Sequence, residues 1–278
     1  MSQDKVALVT GASSGIGKET ALQLAAHGYH VFSAARRVEK MEEIKVVGIE
    51  PAYLDVTSQE SINKLVKHIM DTKGRIDVLV NNAGYGAHGA LEDVSLDEAR
   101  RQFDVNVFGL MALTKEVLPA MRKQRSGRII NVSSVVGKMS TPLTGWYSAS
   151  KHALEALSDA LRVEVKPFGI QVVVIEPGAI KTEFSDVVKE KLENTEVSPA
   201  YERMTDAWKK SIGNSSNAAP PHVVAEAIQK AATTDNPRTR YAVPFEAKAF
   251  LFARGVLGDK VMDRLILREL DRRQKQAN

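Results

Sequence analysis

Short runs of β-branched residues alternate with helix-length amphipathic segments along most of the chain. The pattern predicts strands at Val6–Val9, Val31–Ala34, Val46–Leu54, Ile76–Val80, Arg128–Val132 and Ile170–Ile175. Helices are predicted over Gly15–His27, Ser58–Lys73, Leu96–Arg122 and Tyr147–Lys166. Runs such as Val78-Leu79-Val80 and Val172-Val173-Val174-Ile175 lack polar alternation, which marks strands covered on both faces, as a parallel sheet requires. The expected fold is α/β: a doubly wound, Rossmann-type parallel sheet with helices on both faces, forming a single domain over residues 1–278.

Helix starts carry their own signals. Thr57 with Glu60 and Ser95 with Glu98 have capping-box spacing, and Ile62, Leu65, Val66 and Ile69 fall on one stripe of the first of these helices. No repeat or flexible linker divides the chain. Residues 185–221 turn polar and irregular and are read as a variable substrate lid, and residues 246–278 as a C-terminal extension.

Composition narrows the chemistry. With 44% apolar residues, 278 residues can bury a sizeable core. The absence of cysteine excludes disulfides, thiolate nucleophiles and sulfur-ligated zinc. A net charge of +4 arises from Lys and Arg mixed with Asp and Glu, without a basic stripe interleaved with aromatics, so no nucleic-acid partner is expected. Six histidines show no metal-ligand spacing; His88 and His152 are read as packed or solvated, and no metal is expected. The start, Met1 to Lys5, runs directly into Val6–Val9, too short for a signal peptide or a membrane span, and a cytoplasmic protein is expected. Ala249–Val256 and Val261–Leu270, with Arg254, Lys260, Arg264, Arg268 and Arg272 interspersed, are compatible with an amphipathic surface helix. Packing on its own domain or on a second copy is the reading adopted, not membrane contact.

The first strand leads into Thr10-Gly11-Ala12-Ser13-Ser14-Gly15-Ile16-Gly17 and then a helix. Such a turn brings backbone N–H groups and the positive end of a helix dipole up to a pyrophosphate, and glycine removes the Cβ that blocks the approach. The second strand ends in Arg36-Arg37, not in a carboxylate. An acid there bonds a free ribose 2′-hydroxyl and arginine accommodates a 2′-phosphate, so NADP(H) is expected over NAD(H).

Tyr147 and Lys151 are spaced i, i+4 at a helix start, so they share a face. Moving hydride to or from an alcohol carbon requires a proton to leave or reach its oxygen. For tyrosine to do this near neutral pH, its ordinary pKa of about 10 has to fall by about 3, roughly 4 kcal/mol of phenolate stabilisation, and a neighbouring ammonium has the right sign. Ser133 and Ser134 follow a strand, at the end where open α/β sheets bind ligands, and can hold a substrate oxygen.

With these residues the chain resembles the short-chain dehydrogenase/reductase family, from Val6 to about Thr182 and more weakly to Val243. The family's Thr-Gly-x-x-x-Gly-x-Gly turn is matched at Thr10–Gly17, its Asn-Asn-Ala-Gly at Asn81–Gly84 and its Tyr-x-x-x-Lys at Tyr147–Lys151. The resemblance implies catalytic roles for Asn106, Ser134, Tyr147 and Lys151. Asn106 would organise a water-linked proton relay, Ser134 would bond the substrate oxygen, with Ser133 in support, and Lys151 would lower the Tyr147 pKa and hold the nicotinamide ribose. For the cofactor, NADP(H), it implies Gly11, Ser13, Ser14, Gly15, Ile16, Gly17, Arg36, Arg37, Asp55, Val56, Asn82, Ala83, Gly84, Tyr147, Lys151, Pro177, Gly178, Ile180 and Thr182. Within the family the chain looks most like the branch with 17-beta-hydroxysteroid and retinol dehydrogenases. Met139, Pro142, Leu143, Trp146 and Phe184 are the expected apolar rim for a steroid-, retinoid- or lipid-like alcohol or carbonyl compound. The family's pairing of the Leu96–Arg122 and Tyr147–Phe168 helices implies a homodimer or homotetramer. A cofactor-sensing regulatory protein without turnover is the rival class; it is expected to lose part of the catalytic set, and here all four residues are present.

Overall fold

The computed structural model of the chain describes residues 5–42, 46–212 and 218–277. The first four residues of the expected start, residues 213–217 of the expected lid and the last residue of the extension lie outside the described residues. The strands are β1 (Val6–Thr10), β2 (His30–Ala35), β3 (Ile49–Tyr53), β4 (Val78–Asn81), β5 (Gly127–Val132), β6 (Ile170–Pro177) and β7 (Arg240–Val243). The helices are α1 (Gly15–Ala26), α2 (Glu39–Glu42), α3 (Gln59–Lys73), α4 (Leu96–Phe103), α5 (Leu110–Gln124) and α6 (Gly145–Glu164). They continue with α7 (Phe184–Glu193), α8 (Glu202–Ser211), α9 (His222–Thr233), α10 (Phe245–Val256) and α11 (Asp259–Ala277).

All seven strands are parallel, in the order β3-β2-β1-β4-β5-β6-β7. The order reverses between β1 and β4, which opens a crevice beyond their carboxyl ends. Alternation along β1 explains the two layers. Val6 and Leu8 join Ile62, Leu65, Leu113 and Leu161, from α3, α5 and α6, on one face. Ala7 and Val9 join Leu24, Val224 and Ile228, from α1 and α9, on the other. The doubly wound α/β fold read from the sequence is the one found.

Several boundaries move for physical reasons. β3 starts at Ile49 and not Val46, because Gly48 turns the chain at φ 94°. The cap of α3 is Ser58, whose hydroxyl accepts from Ser61 N–H at 3.2 Å, one position after the expected Thr57; Thr57 is taken by Asp55. Ser95 does cap α4, accepting from Glu98 N–H. The single helix expected over Leu96–Arg122 is broken by a π-helical segment, Asp104–Gly109, between α4 and α5. There a Cβ on Gly109 would overlap the Val56 carbonyl, so the helix comes up against backbone at the end of β3. β7 and α9 were not predicted. β7 is a four-residue edge strand without a buried run, and α9 packs largely through small alanines. Its carboxyl end is held from afar: the Arg128 guanidinium donates to the carbonyls of Ala232 at 3.0 Å and Thr234 at 2.6 Å.

β7 is bound to α6 and β6 by charge. Arg240 pairs with Glu155 at 3.0 Å, Asp159 at 2.7 Å and Glu176 at 3.4 Å, and Lys138 adds a second cation on Glu155 at 2.9 Å. Burial, with Glu155 beside it, pushes the Glu176 carboxyl up to about 7 despite Arg240. A carboxyl raised above its unfolded value contributes stability that is complete below about pH 4.5 and is lost as the pH rises through about 7. Glu176→Gln is therefore expected to flatten the profile: between pH 5 and 7.5 the wild type should lose on the order of 2 kcal/mol more than the variant, read from urea unfolding at both values.

Candidate active site at the carboxyl ends of the strands

The turn after β1 is shaped by close packing. Gly11 and Gly15 hold φ of 65° and 52°, and a Cβ on Gly17 would overlap the Gly11 carbonyl oxygen. The Thr10 hydroxyl accepts from the N–H groups of Asn82 at 3.0 Å and Ala83 at 2.9 Å, while Asn82 Nδ2 donates to the Thr10 carbonyl at 2.9 Å. Asn82 and Ala83 thus fasten the turn to the end of β4. Ser14 is the N-cap of α1, its side chain caps nothing, and the first turn of α1 holds no acidic residue. Ile16 is partly buried and packs its side chain against the α1-side core. A helix N-terminus with free amides and no competing carboxylate fits a dinucleotide pyrophosphate.

Around this turn stand the other expected cofactor residues. Arg36 and Arg37 are exposed at the end of β2. Arg37 donates to Ser13 Oγ at 3.1 Å and to Glu183 at 3.0 Å, and Lys40 joins Glu183 at 3.2 Å. Asp55 binds the Thr57 amide and hydroxyl at 2.9 and 2.7 Å; burial opposes its ionisation, but these bonds and the charge of Arg36 hold its carboxyl below the usual range. The Val56 side chain is buried. Gly84 is exposed, and a Cβ there would lie 3.0 Å from Asn106 Oδ1 and 3.7 Å from Lys151 Nζ. Pro177 accepts from Ser134 Oγ at 3.4 Å, Gly178 N–H donates to Val243, Ile180 bridges to Ala219, and Thr182 stands over Gly15.

The four expected catalytic residues converge. Tyr147 and Lys151 lie on the first turns of α6, and Ser134 follows β5, its hydroxyl donating to the Pro177 carbonyl at 3.4 Å and near enough to Tyr147 to act on its phenol. Lys151 is buried; its Nζ donates to the Val132 carbonyl at 2.8 Å and sits 5.8 Å from the centre of the Tyr147 ring. Burial pushes it down to about 8 against the pull of Glu155. Asn106, turned inward by the π-helical segment, donates to the Tyr85 carbonyl at 2.9 Å and to Ser150 Oγ at 3.1 Å, and accepts from Tyr85 N–H at 3.1 Å. One expectation is corrected. The Tyr147 phenol is not lowered in the free protein: burial pushes it up to about 12, with Ser134 acting the other way. Ser133 also differs, its hydroxyl being buried against Gly137 and without a hydrogen-bond partner among the described residues.

An aromatic cluster missed in the sequence closes over Tyr147. Phe184, on the first turn of α7, lies 5.5 Å from its ring, and His88, 5.6 Å away, contacts Trp208 of α8. His152 is exposed, as expected. Of the expected apolar rim, Pro142 and Leu143 line a groove of about 450 Å³ with Leu91 and, from α11, Ile266 and Leu267. Leu143 holds a φ of 65°, and its carbonyl accepts from Gly89 N–H at 2.8 Å, tying the groove to the loop that carries His88. Among the described residues no helix is long and apolar enough to cross a membrane.

Known proteins are similar to this chain over most of its length. The family model described as short chain dehydrogenase matches residues 5–193. The 3-ketodihydrosphingosine reductase of Bacteroides thetaiotaomicron is 37% identical, over 94% of this chain and 96% of its own. The NADPH-dependent 3-dehydrocapnine reductase of Ornithobacterium rhinotracheale is 34% identical, over 96% and 97%. A short-chain dehydrogenase from Streptomyces avermitilis has a crystal structure that superposes with a TM-score of 0.82 at 35% identity, covering 100% of both chains.

The glycine turn yields a test that separates packing from backbone strain. Gly17→Ala, whose methyl meets backbone, is expected to cost about 2–4 kcal/mol of unfolding free energy. Gly28→Ala, at φ 80° with nothing within 4 Å of a new Cβ, should cost about 1–2 kcal/mol. Equal losses for the two variants in urea unfolding would rule out the close packing described for Gly17.

Proposed function

The chain belongs to the short-chain dehydrogenase family, and from that premise we propose an NADP(H)-dependent oxidoreductase that interconverts an alcohol and a ketone or aldehyde of an apolar, lipid-like substrate. The carrying observation is the convergence of Tyr147 and Lys151 at the carboxyl end of β5, where Ser134 stands: Lys151 Nζ is anchored on the Val132 carbonyl at 2.8 Å and lies 5.8 Å from the centre of the Tyr147 ring. The bound nicotinamide supplies the hydride in reduction and accepts it in oxidation. Tyr147 gives its proton to the carbonyl oxygen in reduction and takes it back in oxidation, while Ser134 bonds the same oxygen. The buried Lys151 ammonium favours the phenolate and bonds the ribose, and Asn106 fixes the loop at Gly84 and Tyr85 beside it. Arg36 and Arg37 take the 2′-phosphate, with Asp55 and Val56 toward the adenine. Gly11 to Gly17 take the pyrophosphate, and Asn82 to Gly84, Pro177, Gly178, Ile180 and Thr182 border the rest. That one similar reductase is named NADPH-dependent supports this choice of cofactor. Support for an apolar substrate comes from the groove at Leu91, Pro142, Leu143, Ile266 and Leu267, and from a 3-ketodihydrosphingosine reductase among the relatives. In this reading the steroid- and retinoid-dehydrogenase branch is a less direct likeness than the ketolipid reductases. Residues 185–221 act as the substrate lid, and the functional unit is a homodimer or homotetramer in the cytoplasm.

NADPH and NADH oxidation followed against long-chain, steroid and aromatic carbonyls tests this assignment. Tyr147→Phe should lower kcat by about 10²–10⁴-fold. Arg36→Ala should shift preference toward NADH by about tenfold or more. An unchanged rate in Tyr147→Phe rules out the proton transfer proposed here.

The pH profile gives a second check. Lys151, lowered to about 8 by burial, is charged below that value and neutral above it, so kcat/KM for reduction should fall as the pH rises through about 8. Lys151→Arg, which keeps its charge, should be slower but lose this limb, and a limb unmoved in the variant excludes Lys151 as its source.

A further inference from the structure

His88 lies in the loop after β4 and is buried, yet its two ring nitrogens are treated differently. Nδ1 faces the Trp208 indole N–H at 3.3 Å. An indole N–H can only donate, so Nδ1 is the acceptor and the proton of the neutral ring is on Nε2. Burial, which pushes the imidazole down to about 4, keeps the ring neutral at ordinary pH. Nε2 is buried without a hydrogen-bond partner among the described residues. It lies against the α-carbon of Gly86, where an added Cβ would come within 2.9 Å of both Nε2 and Phe184 Cζ. A buried N–H without an acceptor costs free energy, and a ligand oxygen that reaches it recovers that cost. The side chain closing this spot is Phe184, which also covers Tyr147.

We propose that the His88 Nε2–H is a specificity-determining donor that binds a second oxygen of the substrate, a few bonds from the carbon that Tyr147 serves, once Phe184 moves aside. This rests on the oxidoreductase reading above and narrows its substrate class to amphiphiles with a second oxygen close to the reacting carbonyl, such as long-chain β-hydroxy ketones. Gly86 leaves the space that this contact needs, and Trp208 sets the tautomer. A site built to hydrogen-bond one substrate oxygen discriminates strongly against the analogue that lacks it, because its own buried donor is then left unpaired.

The test compares 1-hydroxy-3-decanone with 3-decanone, with NADPH, in wild type, His88→Phe and His88→Gln. Wild type is expected to favour the hydroxy ketone by at least about tenfold in kcat/KM. His88→Phe should bring the ratio below about threefold, and His88→Gln, which keeps a side-chain N–H, should restore part of it. A ratio unchanged in His88→Phe, or equal losses on both ketones, overturns the proposal and leaves His88 a packing residue. Side-chain ¹⁵N spectra of His88 give a readout independent of turnover. They should show the Nε2–H tautomer in the free protein and a shift of Nε2 on adding the hydroxy ketone but not 3-decanone. An Nδ1–H tautomer or no differential shift overturns the inference even where neither ketone is reduced, and that absence of turnover counts separately against the oxidoreductase reading.

Discussion

The hydrogen bonds between Thr10 and Asn82 are the constraint on which the rest of the site depends. They close the crevice floor where the strand order reverses, and they hold the glycine turn of β1 in register with the loop that leaves β4. In that loop Tyr85 is joined through its N–H and its carbonyl to Asn106, Asn106 to Ser150, and so to the helix that carries Tyr147 and Lys151. Thr10, Asn82, Tyr85, Asn106 and Ser150 are buried or partly buried, and an unpaired buried group costs about 1–3 kcal/mol. The network therefore has few alternatives of comparable energy, and its geometry is transmitted from the nucleotide side of the crevice to the tyrosine.

Within that frame the electrostatics of the pair differ from the simple picture of an ammonium resting on a phenol. Lys151 spends its hydrogen bond on the Val132 carbonyl and acts on Tyr147 only across several ångströms, while burial opposes ionisation of both groups. Desolvation wins in the unliganded protein. A tyrosine kept protonated there is suited to donate a proton to a carbonyl oxygen, and an added positive charge in the crevice is what the reverse direction needs.

Local chemistry was legible in the sequence and long-range chemistry was not. The strands, the glycine turn and the Tyr147–Lys151 spacing could be read because each is set by residues close in sequence. That the sheet is parallel and covered on both faces followed from strands without polar alternation. The π-helical segment depends on contact between Gly109 and Val56, more than fifty residues away, and no periodicity announces it. The fall expected for the Tyr147 pKa failed because burial, which a sequence does not display, outweighs the charge that it does. Glu183 was passed over, and His88 was read only as packed or solvated, for the same reason, since their partners Arg37 and Trp208 are 146 and 120 residues distant.

Glu183 and Phe184 show how the two halves of the crevice are joined. These adjacent residues face opposite ways: the carboxylate holds Arg37 and Lys40 on the nucleotide side, and the ring covers Tyr147 and His88 on the substrate side. The Arg37–Glu183 pair has both side chains nearly half exposed, at 46% and 44%, so it contributes no more than about 1 kcal/mol. In the proposed reading a phosphate would offer Arg37 a charge-assisted partner in place of this weak pair. Lys40 keeps its own bond to Glu183 at 3.2 Å, so loss of the Arg37 pair alone leaves the start of α7, and with it the cover over Tyr147, tied to α2.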